Sequence, residues 1–129
     1  MDNTQIVFSI SDRINCTYYY RIVKNIRNGK ATILVLSNTG VIMITKDFLK
    51  PKREVRIVID KPLGPLELTV EVLSSKPEWY FTDKNKDMFF TVRTVFKNIS
   101  SAEKARVIKY IYDCKVERHK ARTRRMKQQ

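Results

Sequence analysis

The sequence predicts a mainly β fold, a single six-stranded antiparallel barrel with an α-helix at its C-terminal side. Two observations support this prediction. Short segments rich in β-branched and aromatic residues recur through the first hundred residues with turn residues between them, a pattern typical of a sheet closed on itself. The pattern changes at Ser100, beyond which apolar residues recur at helical intervals.

Six strands are predicted. Alternation of apolar and polar residues is clearest over 54–60, where Val55, Ile57 and Ile59 share one predicted face, and it recurs over 66–72. The other segments are rich in β-branched or aromatic residues, which favour strands. These segments span 18–24, 31–36, 41–45 and 89–96.

Turn residues predict the connections between strands. The dipeptide Asn28-Gly29 is typical of hairpin turns, so a turn is expected there between the first two strands. Residues 37–40 (SNTG) and 61–65 (KPLGP) also predict turns. Residues 76–87 are polar and interrupted by Pro77, and we expect them to form a loop.

A helix is predicted from about Ser101 to at least Arg118. Ser100 and Glu103 have the spacing of a capping box, in which the two side chains satisfy backbone N–H groups at the helix start. An apolar stripe follows, which should cover one mouth or side of the barrel. The predicted members of the stripe are Ala105, Ile108, Ile111, Tyr112 and Cys114.

The chain is expected to form one domain with three parts. These are a flexible N-terminal segment (1–14), the barrel (15–99) and the helix with a basic tail (100–129). The tail carries seven Lys or Arg residues against the single acid Glu117. Cations complement the dipole at a helix C-terminus, but seven exceed what the dipole requires.

Charge narrows the classes of partner. The chain has 26 Lys and Arg against 13 Asp and Glu, a net charge of +13. A field of that sign attracts anions, so nucleotides, nucleic acid, acidic proteins and anionic lipid surfaces are all candidates. No secretory signal is evident and the apolar runs are too short to span a bilayer, which favours a cytoplasmic protein.

The composition argues against catalysis. Cys16, Cys114 and one histidine cannot supply a four-ligand zinc site of the usual kind, and we expect both cysteines to serve as small hydrophobes. The histidine, His119, lies among basic residues of the tail, where solvation is more usual than general base chemistry. No glycine-rich phosphate loop is present. We therefore expect a binding protein without a cofactor.

Several segments resemble the PilZ family of bacterial cyclic di-GMP receptors. The order of strands, the Ser-x-x-Gly turn at 37–40 and the closing helix are similar to that family. The most specific similarity lies at 96–100 (FKNIS) and 106–112 (RVIKYIY), which resemble the family's last strand and helix. The resemblance covers about 13–118 and implies a signalling protein that affects motility, pili or surface polysaccharide. We expect it to be a monomer.

The first ligand motif of PilZ receptors is half present. The resemblance implies an Arg-x-x-x-Arg segment ahead of the first strand, whose guanidinium groups pair with phosphate and stack on bases. Arg13 falls at one position of this motif, whereas Ser9 and Thr17 occupy the two possible positions of its partner. One arginine is therefore missing.

The second ligand motif is also incomplete. The family pattern is Asp/Asn-x-Ser-x-x-Gly, and here Val35 replaces the residue that would accept hydrogen bonds from guanine. Each lost contact costs about 1–3 kcal/mol, which together weaken binding by about two to four decades. Cyclic di-GMP is still the candidate ligand that the resemblance implies. Its candidate binding residues are Arg13, Ser37, Asn38 and Gly40.

Three interpretations of function stay open. The chain is a nucleotide-sensing module, a ligand-independent adaptor for a protein partner, or, less expected, a small basic barrel that binds nucleic acid. Three consecutive tyrosines favour the adaptor, because alternation places Tyr19 opposite Tyr18 and Tyr20 and so exposes at least one ring. Nucleic acid is disfavoured because basic and aromatic residues do not interleave on one predicted strand face.

Overall fold

A computed structural model describes residues 9–10, 13–60, 65–81 and 86–127 of the chain. These residues form seven strands and one helix. The strands are β1 (Ser9–Ile10), β2 (Ile14–Ile22), β3 (Asn25–Ser37), β4 (Val41–Thr45), β5 (Glu54–Ile59), β6 (Leu66–Phe81) and β7 (Lys86–Phe96), and the helix is α1 (Ser101–Lys127).

Six of the strands close into an antiparallel barrel. The order of hydrogen-bonded neighbours is β3-β2-β5-β6-β7-β4, and β4 pairs back to β3. β1 adds a two-residue ladder to the far part of β3, where Ser9 lies opposite Ser37. The predicted six-stranded barrel with a C-terminal helix is confirmed.

The barrel has two chemically different ends. Because neighbouring strands run antiparallel, the β2–β3 hairpin, the loop between β4 and β5 and the β6–β7 hairpin all lie at one end, which we call the hairpin end. The turn 37–40 between β3 and β4 and the junction of β7 with α1 lie at the opposite end, which we call the helix end.

The core lies inside the barrel, as the alternation predicts. Val55, Ile57 and Ile59 are completely buried, while Glu54 before them and Arg56 between them are exposed. The inward residues of β6 follow the same rule, since Leu66, Leu68, Val70 and Val72 are buried. Burial of apolar surface at about 25 cal/mol per Å² is the main stabilising contribution.

The predicted turn at Asn28-Gly29 is wrong. The two strands meet at Val23-Lys24, and Gly29 lies within β3, opposite Tyr18 on β2. A Cβ atom at Gly29 would lie 2.4 Å from the Tyr18 hydroxyl oxygen. This glycine therefore makes room for a buried tyrosine ring rather than bending the chain.

The predicted loop over 76–87 is also wrong at both of its ends. β6 continues to Phe81 and β7 starts at Lys86, so the two strands extend beyond the barrel as a long hairpin. Pro77 lies opposite Phe90 within this hairpin. β5 pairs with β6 only as far as Glu71, and proline is tolerated on such an unpaired strand edge.

The helix is capped as predicted. The Ser100 backbone N–H donates to Glu103 Oε1 at 3.3 Å, and the Glu103 N–H donates to Ser100 Oγ at 3.1 Å. The helix then continues through the predicted tail to Lys127.

The apolar face of α1 is rotated from the predicted stripe. Val107, Tyr110, Ile111 and Cys114 are buried at the spacing i, i+3, i+4, i+7 and join the barrel core. Ile108 is half-buried, whereas Ala105 and Tyr112, which were predicted to face the barrel, are exposed. The sequence places apolar residues on both sides of Ile111, and only packing against β1 and β3 selects the side that is buried.

The N-terminal prediction is only partly covered by the structure. Residues 1–8 and 11–12 of the predicted flexible segment lie outside the described residues. Ser9–Ile10 form β1, and the predicted boundaries at residues 14 and 99 stay a prediction. Within the described part of the chain, no helix is long and apolar enough to cross a membrane.

Candidate functional site

The turn 37–40 at the helix end is braced by one hydroxyl group. The Ser37 backbone N–H donates to the Gly40 carbonyl oxygen at 3.0 Å. Ser37 Oγ accepts hydrogen bonds from the N–H groups of Thr39 and Gly40, both at 3.2 Å, and lies 3.0 Å from Thr39 Oγ1. Much of the hydrogen-bonding capacity of Ser37 is therefore used within the turn itself.

Gly40 allows the turn to dock on β7. A Cβ atom at this position would lie 2.1 Å from the Thr94 carbonyl oxygen and 2.9 Å from the Val95 Cα atom. The Phe96 N–H donates to the Thr39 carbonyl at 3.0 Å, which secures the other side of the turn. Glycine is required here because two backbones approach closely. This packing alone is a sufficient reason for a glycine at position 40.

The Thr94 side chain also joins β4 to β7, directly beside the turn. Its buried hydroxyl donates to the Val41 carbonyl oxygen at 2.8 Å and accepts from the Val41 N–H at 3.2 Å. A buried threonine with both hydrogen-bonding functions satisfied holds β4 against β7. Hydrogen bonds thus hold the turn and the start of β4 against β7.

The structure brings the predicted site residues to one end of the barrel. Asn38 is half-buried in the turn beside Ser37 and Gly40. Arg13 is exposed and directly precedes Ile14, whose partner on β3 is Ile33. Ile33 is four residues from Ser37, about 13 Å along a strand. Arg13 and the turn therefore share the helix end without adjoining each other.

Two of the residues that stand in place of the expected recognition groups also lie at the helix end. Val35 is half-buried on β3, next to the β-bulge that shifts the β3–β4 register between Ile33 and Val35. Its side chain offers no hydrogen-bond acceptor. Of the two positions that could carry the second arginine, Ser9 lies directly opposite Ser37 and adjoins the turn, whereas Thr17 lies opposite Lys30.

Sequence reasoning missed an arginine and tyrosine cluster on the outside of the barrel. The Arg56 guanidinium carbon lies 5.1 Å from the Tyr19 ring centroid, and that of Arg53 lies 4.9 Å from the Tyr20 ring centroid. With Arg21, Ile26 and the carboxylate residue Glu54 they line a groove of about 540 Å³ near the hairpin end. The alternation of β5 pointed to Arg56, because it places this residue outside the barrel, but no local pattern indicated Arg53.

Tyr18 makes a second polar contact at the hairpin end. Its hydroxyl donates to Asp47 Oδ2 at 2.5 Å. The burial of its ring and this hydrogen bond raise the pKa of Tyr18 well above its ordinary value of 10.0. The contact fixes the start of the β4–β5 loop over the barrel mouth.

The cysteines are free and buried, as small hydrophobes would be. Burial raises the pKa of the Cys16 thiol to about 12, so the thiol stays neutral at physiological pH. Burial also raises the pKa of Tyr110 to about 12, with a further contribution from Cys114. Among the described residues, no three His, Cys, Asp or Glu side chains are grouped so as to hold a metal ion.

No model of a protein family matches the sequence, and no curated protein matches it either. Solved structures do match. The PilZ domain of YcgR from Escherichia coli, determined with cyclic di-GMP, superposes with a TM-score of 0.72 at 16% identity, covering 92% of this chain and 98% of that one. The chain has the PilZ fold.

Two further PilZ-fold neighbours are larger proteins. The cyclic di-GMP complex of MrkH from K. pneumoniae gives a TM-score of 0.65 at 16% identity over 92% of this chain and 54% of that one. The Bacillus subtilis inhibitor of motility MotI gives 0.55 at 11% identity over 90% and 53%. This chain spans about half the length of either neighbour.

Proposed function

We propose that this chain is a regulatory module on the PilZ fold in which recognition of cyclic di-GMP at the helix end is reduced. The observation that carries the proposal is the contrast within one site. The turn 37–40 keeps its shape and its docking on β7, while the groups that would hold guanine and phosphate are incomplete.

Fold similarity supports a regulatory role. YcgR and MrkH are described with cyclic di-GMP, MrkH as a transcription regulatory factor and MotI as an inhibitor of motility. Regulation of motility, pili or surface polysaccharide from the cytoplasm is the form of output we propose.

Geometry supports reduced rather than full recognition. A PilZ-type site needs two guanidinium groups near the turn, and of these this chain supplies only Arg13, next to Ile14, whose partner Ile33 lies about 13 Å along β3 from Ser37. A hydrocarbon side chain stands at Val35 where an acceptor is needed. The loss of one charge-assisted hydrogen bond and one guanine contact weakens binding by about two to four decades.

Calorimetric titration with cyclic di-GMP tests this proposal, with GMP as the control ligand. We expect weak binding of the dinucleotide, about two decades or more above micromolar, and further weakening in Arg13→Ala. Micromolar affinity that Arg13→Ala leaves unchanged would contradict both the reduced site and its location.

A ligand-independent adaptor is the second candidate. The reduced site favours it, and so does the exposure of apolar side chains at the hairpin end. If this candidate is right, a specific partner co-purifies with the full chain, and the addition of cyclic di-GMP does not change the amount recovered. Release or recruitment of the partner by the dinucleotide identifies the sensing module instead.

A further inference from the structure

Exposed apolar side chains are concentrated at the hairpin end. Eight large hydrophobic residues of the described part of the chain are exposed, and Tyr112 on α1 is the one that lies elsewhere. Exposed apolar clusters of this kind mark interaction sites. The seven at the hairpin end are Ile22, Val23, Ile26, Phe48, Leu73, Trp79 and Met88.

Six of these side chains lie on three projections, two of which are in contact, because the Phe48 ring packs against Phe90 of β7 with 5.5 Å between the ring centroids. Ile22, Val23 and Ile26 surround the tip of the β2–β3 hairpin. Phe48 lies in the β4–β5 loop, and Trp79 forms a cross-strand pair with Met88 on the β6–β7 hairpin. The projections extend from one end of the barrel, away from the turn 37–40.

Val23 is in an unfavourable conformation for its residue type. Its φ is 54°, in the left-handed region, and its side chain is 85% exposed. A β-branched residue in this region is strained by about 1–3 kcal/mol, and asparagine or glycine would fit better. A two-residue hairpin turn requires a positive φ at its first central position, but it does not require an exposed valine there. Such conflicts are expected at functional positions.

Basic residues accompany the apolar tips. Segments 21–28, 46–54 and 73–81 together contain eight Lys or Arg residues and three Asp or Glu residues. The basic residues of these segments therefore exceed the acidic ones by five, and one of the acids, Glu54, lies 3.3 Å from Lys97 Nζ. The hairpin end therefore presents net positive charge to its surroundings.

The groove beside the β2–β3 tip suits a phosphate group. Arg53 Nη1 donates to the Arg21 carbonyl at 3.4 Å while its guanidinium stacks on Tyr20, which orients the remaining donors. Arg21 and Arg53 have no acidic partner among the described residues, whereas Arg56 lies 3.2 Å from Glu67. Planar guanidinium groups pair with phosphate oxygens through two parallel hydrogen bonds.

We propose that the hairpin end binds the surface of anionic phospholipid membranes. The aliphatic β2–β3 tip, Phe48 and Trp79 enter the interfacial layer, and Arg21 and Arg53 bind lipid phosphate. A fluid interface accommodates these side chains without a matching pocket, and its anionic headgroups complement the excess of basic residues at this end. Tryptophan favours the membrane interface, and each nearby cation adds about 1 kcal/mol on an anionic leaflet.

Trp79 reports on this proposal directly, because it is the only tryptophan of the chain and is 56% exposed. The full chain is titrated with phosphatidylcholine vesicles and with vesicles that also contain phosphatidylglycerol, without any nucleotide. We expect a blue shift of Trp79 emission with the anionic vesicles alone, and weaker binding as sodium chloride rises. Failure of cyclic di-GMP binding leaves this result unaffected.

Two variants locate the contact. Val23→Asn removes an inserted side chain while relieving backbone strain, and we expect about fivefold to tenfold weaker vesicle binding. Tyr112→Ser removes an exposed side chain from α1, away from the hairpin end, and should bind as the unaltered chain does.

Three outcomes would overturn the proposal. The first is no emission shift with anionic vesicles at low ionic strength, which would favour a protein partner at this end. The second is co-sedimentation with vesicles while Trp79 emission stays constant, which would assign binding to the basic part of α1. The third is unchanged affinity in Val23→Asn.

Discussion

The two ends of the barrel differ in how the fold uses their side chains. At the helix end, the hydroxyls of Ser37 and Thr94 satisfy backbone groups of the turn and of β4, and α1 covers apolar surface. At the hairpin end, Val23 is strained and seven large apolar side chains are exposed. The hydrogen bonds and packing at the helix end stabilise the fold. The valine at a positive φ and the exposed apolar side chains at the hairpin end are not explained by the stability of the fold.

This difference limits what the Ser-x-x-Gly pattern indicates about ligand binding. The Ser-x-x-Gly pattern persists here for structural reasons, because Gly40 permits close backbone contact and Ser37 braces the turn. Retention of these two residues is therefore weak support for ligand binding. Of the residues that the family resemblance implies for ligand contact alone, this chain has Arg13 and lacks the second arginine and the guanine acceptor.

Gly40→Ala should have the largest effect on the free energy of unfolding. Its new Cβ would meet the Thr94 carbonyl oxygen at 2.1 Å, so the turn must separate from β7. We expect a loss of about 3 kcal/mol or more, measured by urea denaturation. Thr39→Ala in the same turn is the control, and a loss equal to that of Gly40→Ala would refute the close-contact argument.

Ile111→Ala tests which face of α1 covers the barrel. Ile111 is 1% exposed and Tyr112 is 66% exposed. Removing a buried isoleucine side chain should cost about 3 kcal/mol, whereas Tyr112→Ser should change stability by less than about 0.5 kcal/mol. Thermal or urea denaturation distinguishes the two. Equal losses would mean that the helix packs in another rotation.

Tyr18→Phe tests the polar contact at the hairpin end. The variant loses the hydrogen bond to Asp47, and we expect it to be about 1–2 kcal/mol less stable at pH 7. Because the folded pKa of Tyr18 is raised, its contribution is fully present below pH 10 and declines above that pH. The stability difference between the two proteins should therefore narrow above pH 10. A constant difference would contradict the raised pKa.

Val23→Asn should have the smallest effect on stability, and of the opposite sign. Asparagine tolerates the left-handed conformation, so we expect a gain of about 1 kcal/mol. Lys24→Asn in the same turn has no positive φ to relieve and should be neutral. A loss of stability in Val23→Asn would show that Val23 makes a contact that the exposed tip does not suggest.

Much of the fold could be predicted from the sequence because its elements obey strong local patterns. The alternation over 54–60 and 66–72 gave two strands and their buried faces, and the Ser100 and Glu103 spacing gave the helix start. The predictions that were wrong concern segments whose structure is determined by tertiary packing rather than by local sequence. Gly29 is required by the Tyr18 ring on the neighbouring strand. Pro77 is tolerated because β5 pairs with β6 only as far as Glu71 and does not reach it.

The candidate site was predictable in part for the same reason. The turn 37–40 is local, and so its position and form followed from four residues. The pairing of Ser9 with Ser37 joins residues 28 positions apart, and the stacking of Arg53 on Tyr20 joins the β4–β5 loop to β2. No local pattern contains such contacts, because strand register and barrel closure create them.

The reduced site is tested most directly by restoring it. Ser9→Arg places a guanidinium opposite Ser37, and Val35→Asn supplies an acceptor beside the turn. In calorimetric titrations, we predict that the double variant binds cyclic di-GMP at least about a hundredfold more tightly than the unaltered chain, with GMP as control. Tight binding by the unaltered chain, with no gain in the double variant, would contradict the account.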